Sequence, residues 1–196
     1  MHAPARAGRR PAFTPPRALF ALAAATLLGA AACTFTPTRA GRGTSAAEAA
    51  ARTLMTAWEV GDTALLLDLF QPNAIYDDFP DQTQYRGIDE IVGYVARLHS
   101  WANSVTISVN AIHAADSVAV VEWLMAGVQD RPIPGIVGVA TNRDFTLSGV
   151  TIVELEQRRI ARAADYIDIA PLLLQLGGRI EMPGGTVLRM DGTGGT

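Results

Sequence analysis

Asp78 and Asp165 are the residues whose type and spacing could do chemistry. Asp165 lies in residues 149–177, where 150–155 and 160–167 read as two strands around a polar turn at 156–159, running on into a short helix. Strand side chains alternate, so Ala161, Ala163, Asp165 and Ile167 share one face, and Ile160, Arg162, Ala164 and Tyr166 the other. Asp165 thus stands in an apolar row. A carboxyl there faces solvent, is satisfied at a strand end by backbone groups, or is held in a pocket with a raised pKa. In the strand predicted over 73–79, Asp78 shares a face with Ala74 and Tyr76, while Ile75, Asp77 and Phe79 take the other. Two carboxyls in different environments can split into one acid and one base, which suits enolisation, aldol closure or opening of a strained ether. Tyr76 can donate a hydrogen bond to a developing oxyanion.

The elements that must position these groups are legible in order. Ser45 and Glu48 have capping-box spacing, and Ala51, Leu54, Met55 and Trp58 recur at helical intervals until Gly61. Asp62 caps a short second helix over 65–70, stopped by Pro72. After the strand at 73–79 and a loop at 80–87, residues 88–101 form a third helix with Ile91, Val92, Val95 and Leu98 as its apolar stripe. Long strands follow at 104–114, 118–128 and from 143 into the hairpin. The Pro- and Gly-rich connection 129–142, with an apolar tip at 136–139, is either a lid or a long hairpin loop. Asp168 is the expected N-cap of the last helix, with Pro171 in its first turn and Gly177 and Gly178 as its stop. Trp58 and Trp101 read as packing anchors. His99, His113 and the arginines 143, 158, 159 and 162 read as surface groups, and Asp77 and Asp81 as loop or strand-edge charges.

Composition closes several routes. All 16 basic residues are arginine, so the sequence offers no Schiff-base lysine and no P-loop. Residues 1–33 read as an export signal: Arg6, Arg9, Arg10 and Arg17 precede an apolar run at 18–32 that is short for a membrane span, ending in three alanines. The single cysteine, Cys33, follows at once. This position resembles that of the lipidated cysteine of bacterial lipoproteins; an ordinary secretory cut with Cys33 as a spare thiol is the alternative. Arg9-Arg10 with Phe13 also hints at a twin-arginine signal. Residues 34–44 are a linker, 45–178 one domain, and 179–196 a Gly-rich tail in which 186–190 is either an edge strand or loose. The domain then has no thiol and no histidine pair, so neither a metal nor an organic cofactor is expected. Without the four signal arginines, 12 basic residues face 19 acidic ones, a net charge of −7 that argues against nucleic acid and against docking on anionic lipid other than through an anchor.

The segments IYDDFP with YRGIDEI, then VVEWLMA, then LSGVTIVEL with RIARAADYIDIAPLLLQLG carry a resemblance that covers about residues 47–177. They resemble the SnoaL-like polyketide cyclases and limonene epoxide hydrolases of the nuclear transport factor 2-like superfamily. That resemblance implies an α+β, cystatin-like cone: a strongly curved antiparallel sheet packed on three N-terminal helices, with a cavity at its open end. In limonene epoxide hydrolases a Tyr and an Asn that hold the catalytic water match Tyr76 and Asp78, and the acid/base Asp matches Asp165. Their Arg and second Asp fall on Trp123 and Met125. The last-strand acid/base Asp of SnoaL-like cyclases also falls on Asp165, and the general base of ketosteroid isomerases at or next to Asp78. In such a cone Trp123, Met125 and Ala163 would form apolar wall. The resemblance implies a cofactor-free isomerase, cyclase or epoxide-opening enzyme for a small hydrophobic oxygenated molecule, exported if residues 1–33 act as a signal, and a homodimer paired through the open sheet face. The same cone could instead be a non-catalytic ligand-binding module at the membrane surface, or a dimerisation module with a self-filled cavity.

Overall fold

The computed structural model describes residues 44–190. The predicted export signal with Cys33, the predicted linker up to residue 43, and residues 191–196 lie outside the described residues. Helix α1 (Ala46–Val60) begins where Ser45 Oγ accepts from the Glu48 N–H at 3.1 Å and ends at Gly61, whose φ of 70° lets its N–H reach Ala57 O. Glu48 does not complete a reciprocal box; its carboxylate pairs with Arg52 at 2.8 Å. A short helix α2 (Ala64–Leu69) follows, its first N–H held by Asp62 Oδ1 at 3.0 Å. Strand β1 (Phe70–Asp78) starts earlier than the sequence suggests. It turns back into β2 (Thr83–Arg86), which occupies half of the predicted loop. Helix α3 (Ile88–Trp101) has the predicted bounds, and buries Tyr94 and Trp101 as well as Ile91, Val95 and Leu98.

The remaining strands are β3 (Ala102–Ala114), β4 (Val118–Gln129), β5 (Arg143–Glu156) and β6 (Arg159–Ile167), followed by helix α4 (Ile169–Gln175). They make one six-stranded sheet in the order β2-β1-β6-β5-β4-β3. Every neighbouring pair is antiparallel except β1 with β6, so the sheet is mixed rather than wholly antiparallel. Register shifts interrupt the β1–β6, β3–β4 and β5–β6 ladders. Each extra residue bends its strand and increases the local twist, which curves the sheet around α1 and α3. One of these bulges corrects the predicted faces. Glu154 pairs with Arg162 but Leu155 with Ile160, so Ala161 is the extra residue and Ile160 turns inward to join Ala163 and Asp165. The hairpin turn is two residues long, Gln157 and Arg158 at φ 51° and 67°, the backbone a tight hairpin needs.

Two other expectations change. Asp168 precedes α4 but its side chain caps nothing; its N–H donates to Ser148 O at 3.2 Å. In the tail, β7 (Ile180–Glu181) pairs with β8 (Val187–Leu188) as a separate ribbon, not as an edge of the main sheet.

The connection between β4 and β5 is tied at its base by the fully buried Gln129. Its amide nitrogen donates to Arg131 O and Val139 O, and its oxygen accepts from the N–H and hydroxyl of Thr141. All four polar valences are used, which holds Ile133, Pro134 and Ile136 over the open end of the sheet.

Across the sheet Trp123 faces Gly149, and a Cβ at Gly149 would lie 2.3 Å from the indole. Gly149→Ala should therefore displace Trp123 and destabilise the protein by ~1–3 kcal/mol in urea unfolding. Gly138→Ala, where a Cβ meets nothing within 4 Å, should stay within about 0.5 kcal/mol of the parent.

Candidate active site

The register of three adjacent strands assembles the site. Asp78 on β1 pairs with Asp165 on β6, which pairs with Thr151 on β5, so the three stand side by side on the concave face. Neighbouring strands are about 4.8 Å apart, which brings the two carboxyls into direct electrostatic contact. All three side chains are buried.

Among the described residues no cation lies within hydrogen-bonding reach of Asp165. Instead it accepts three hydroxyls: Thr151 Oγ1 at 2.5 Å on Oδ1, and Tyr76 Oη at 2.8 Å and Tyr94 Oη at 3.3 Å on Oδ2. Two of these are oriented from behind. Trp58 Nε1 donates to Tyr76 Oη at 3.3 Å and Trp123 Nε1 donates to Thr151 Oγ1 at 2.8 Å. An indole N–H only donates, so the hydroxyl protons of Tyr76 and Thr151 point at the carboxylate. Burial nonetheless outweighs these bonds, and with Asp78 nearby it raises the Asp165 pKa from 3.8 to about 6. The pKa of Asp78 is raised too, by burial and then by the charge of Asp81, against the Asp81 N–H, Arg97 and Tyr94. Burial and the Asp165 charge lift both buried phenols well above their ordinary range, so Tyr76 and Tyr94 are neutral donors at physiological pH.

Two spaces adjoin this network. An outer cavity of about 140 Å³ opens at the wide end of the sheet. Trp101, Leu147, Ile169 and Leu172 form much of its apolar wall, Ile133, Pro134 and Ile136 its flap, and Asp78, Asp81, Tyr94 and Arg97 its polar edge. Arg97 reaches Asp78 at 3.4 Å and Asp81 at 3.3 Å, and its guanidinium lies over the rings of Tyr85 and Tyr94. Behind it is an inner pocket of about 30 Å³, room for about one water, lined by Asp165, Thr151, Trp123, Met55 and Ile107. Trp58, Met125 and Ile167 line both and form the partition between them.

The predicted site residues therefore divide. Asp78 faces the outer cavity, Asp165 and Trp123 face the inner one, and Met125 lines both. Tyr76 is fully buried with its proton engaged by Asp165, so it holds that carboxylate and does not meet a ligand's oxygen. Ala163 is packed in the core between Tyr76 and Val153 and lines neither space. Tyr94, Thr151 and Arg97 were not singled out from sequence. An unbulged hairpin would set Thr151 against Ala164, and only the extra residue Ala161 brings it opposite Asp165; Tyr94 falls on the buried stripe of its helix, three residues after Ile91 and four before Leu98. His113 is exposed beside Glu122, as expected, but His99 is half-buried with Nε2 at 2.8 Å from Trp58 O. Asp77 and Arg162 form an ion pair at 2.8 Å on the opposite sheet face, with Glu154 as a second partner of the arginine. Among the described residues no group of three or more His, Cys, Asp or Glu is placed to hold a metal ion.

The family model for the SnoaL-like domain matches residues 51–163, more than half of the chain. The chain belongs to that family. No curated protein matches it in sequence. Among solved structures it is similar to TsrD from Streptomyces laurentii, at 23% identity over 67% of this chain and 95% of that one, with a TM-score of 0.59. It is also similar to IdmH from Streptomyces antibioticus, described as a candidate polyketide cyclase, at 18% identity over 66% and 96% with a TM-score of 0.57. A third is a hypothetical protein of Catenulispora acidiphila with a ketosteroid isomerase-like fold, solved with trimethylamine, at 20% identity over 66% and 92% with a TM-score of 0.55. At these identities the likeness shows the fold alone, an α+β cone of the ketosteroid isomerase-like kind.

Because the Asp165 pKa is raised, the folded protein holds that proton more tightly than the unfolded chain does. The resulting stability is fully present below about pH 4 and is lost as pH rises through about 6, on the order of 3 kcal/mol in all. Urea unfolding between pH 4 and 7 should show a larger loss in the parent than in Asp165→Asn, which keeps only the contribution of the raised Asp78. Parallel curves would mean that Asp165 titrates normally.

Proposed function

We propose that this protein is an exported acid/base catalyst acting on a small hydrophobic oxygenated molecule, in an isomerisation, a cyclisation or the opening of an epoxide. The observation that carries the reading is the pair of buried carboxyls in register, one on the wall of an apolar cavity and one behind it, both with raised pKa values. A carboxyl near pKa 6 is a far better general acid or base at neutral pH than an exposed aspartate. In this reading the substrate lies in the outer cavity with its apolar body against Trp101, Leu147 and Leu172. Its oxygen meets Asp78, with Tyr94 and Arg97 as donors beside it. Asp165 supplies or stores the proton.

Cavity size supports a small substrate, since an apolar space near 150 Å³ accommodates about one benzene-sized ring. A longer molecule would extend past Ile136 toward solvent.

The partition of Trp58, Met125 and Ile167 favours a second reading, a binding module in which the carboxyls only hydrogen-bond the ligand. A panel of monocyclic apolar epoxides and enolisable cyclic ketones separates the two. The catalytic reading expects turnover that falls by about 10²–10⁴ in kcat in Asp165→Asn and in Asp78→Asn. Saturable binding with no turnover, or turnover indifferent to both changes, would replace it with the binding module.

The export part of the proposal rests on the signal-like residues 1–33 and on Cys33. Expressed in a bacterial host with labelled fatty acid, the protein should take up label in the membrane fraction. Cys33→Ser should abolish the label, and an unlabelled parent in the soluble fraction would instead indicate simple secretion.

A further inference from the structure

Asp165 is buried and lines the inner pocket but not the outer cavity, which Asp78 borders. A proton that reaches Asp165 must therefore be carried there. Of the three hydroxyls on Asp165, those of Tyr76 and Thr151 are fixed as donors by the indoles behind them. If either were to accept a proton from Asp165, its own hydrogen would be left buried without a partner. Tyr94 differs. No indole nitrogen donates to it, its hydroxyl donates to Asp165 Oδ2 at 3.3 Å, and alone of the three it also lines the outer cavity, beside Asp78. It can therefore reverse direction with a carboxyl at either end.

We propose that Tyr94 relays a proton between the buried Asp165 and Asp78 at the outer cavity. In one state protonated Asp78 donates to Tyr94 Oη and the Tyr94 hydroxyl donates to the Asp165 carboxylate. The relay passes the Tyr94 proton to Asp165 while the Asp78 proton moves to Tyr94 Oη. Two O–H bonds break and two form, one proton moves from Asp78 to Asp165, and Tyr94 ends neutral as it began. The reverse step returns the proton to the cavity. The phenol never has to ionise, in keeping with its burial among like charges.

The surroundings suit this role. Facing Tyr94 are Tyr76 and Asp78 from β1, Tyr85 from β2, Asp165 from β6, and Arg97 from its own helix, with Asp81 beyond Asp78. Tyr85 stacks on the Tyr94 ring at 4.5 Å and Trp58 meets it edge-on at 5.0 Å, which fixes the ring while leaving the hydroxyl rotor free. Of the two carboxyls, Arg97 and Asp81 bear on Asp78 and not on Asp165, so they set the proton affinity of the outer end. Among the described residues no histidine lies in this group.

The proposal rests on the acid/base reading of the carboxyl pair, yet its test needs no substrate. The purified protein is labelled with ¹³C at its aspartate carboxyl carbons, and proton exchange at Asp165 is followed by relaxation dispersion at its titration midpoint. The parent should exchange fast and give one averaged line. Tyr94→Phe keeps the stacked ring but cuts the relay, and should slow exchange tenfold or more, broadening or splitting the line. Asp78→Asn removes the outer proton carrier independently of the ring and should slow exchange likewise. Tyr76→Phe takes a donor from the same carboxylate oxygen, so it should move the midpoint upward but leave exchange fast. The relay is overturned if Tyr94→Phe and Asp78→Asn exchange within twofold of the parent, or if Tyr76→Phe slows exchange as much as they do. A slowed Tyr94→Phe line in a protein that turns over none of the panel would uphold the relay while removing the catalytic reading.

Discussion

A carboxyl buried without a cation is the constraint on which the concave face is built. An isolated ionised carboxylate in a low-dielectric interior costs several kcal/mol even after relaxation, and without compensation the group simply stays protonated. Here the compensation is three hydroxyl donors, two of them aimed by indoles. Each donor comes from a different element. Tyr76 is on β1, Tyr94 on α3 and Thr151 on β5, while the indoles stand on α1 and β4. Satisfying one side chain thus fixes how two helices and three strands meet around β6, and the apolar packing around them must agree with that geometry.

Balance decides what Asp165 is for. Hydrogen bonds to the charged form pull its pKa down, while burial and the Asp78 charge push it up, and burial wins. The result is a group that can hold or release a proton near neutral pH. Had the donors included a guanidinium, Coulombic attraction would have held the carboxyl permanently ionised. Arg97, the cation of the outer cavity, bears instead on Asp78 and Asp81 at the mouth, 44% exposed and screened by water. The two carboxyls are therefore tuned separately, one by neutral dipoles in a dry interior and one by charges at an edge.

Much of this was legible in the sequence, and the part that was not has a physical reason. Helix α3 was read with its bounds because its stripe and the preceding Gly87 are local signals, and the faces of β1 followed from strict alternation. Ile160 was assigned to the wrong face because a bulge at Ala161 shifts the period, and nothing in RIARAAD marks which residue is extra. Strand β2 was missed because its four residues gain their order from pairing with β1, a non-local interaction. Asp165 and Asp78 could be singled out from their rows, but their partners could not. Tyr94 looks like one more core aromatic on an amphipathic helix, and Thr151 like any β-branched strand residue. Only the register across β1, β6 and β5 brings them to the same carboxylate.

Trp123 and Met125 show how a substitution of type can redirect a site without dismantling it. The resemblance to limonene epoxide hydrolases puts an Arg and an Asp at these two positions, a charged arrangement in which the cation organises both carboxylates. In this chain the indole of Trp123 keeps an organising role by a neutral route, orienting Thr151, which in turn holds Asp165. Room for that indole exists only because its cross-strand partner is Gly149. Met125 contributes no polar group and instead forms part of the partition between the inner pocket and the outer cavity. A hydroxyl-and-indole cradle carries none of the desolvation cost of a buried cation and leaves the carboxyl with a raised pKa. On the acid/base reading proposed above, a site so arranged would move protons on a neutral, apolar molecule, because the proton, not a fixed charge, is what the interior would give and take back.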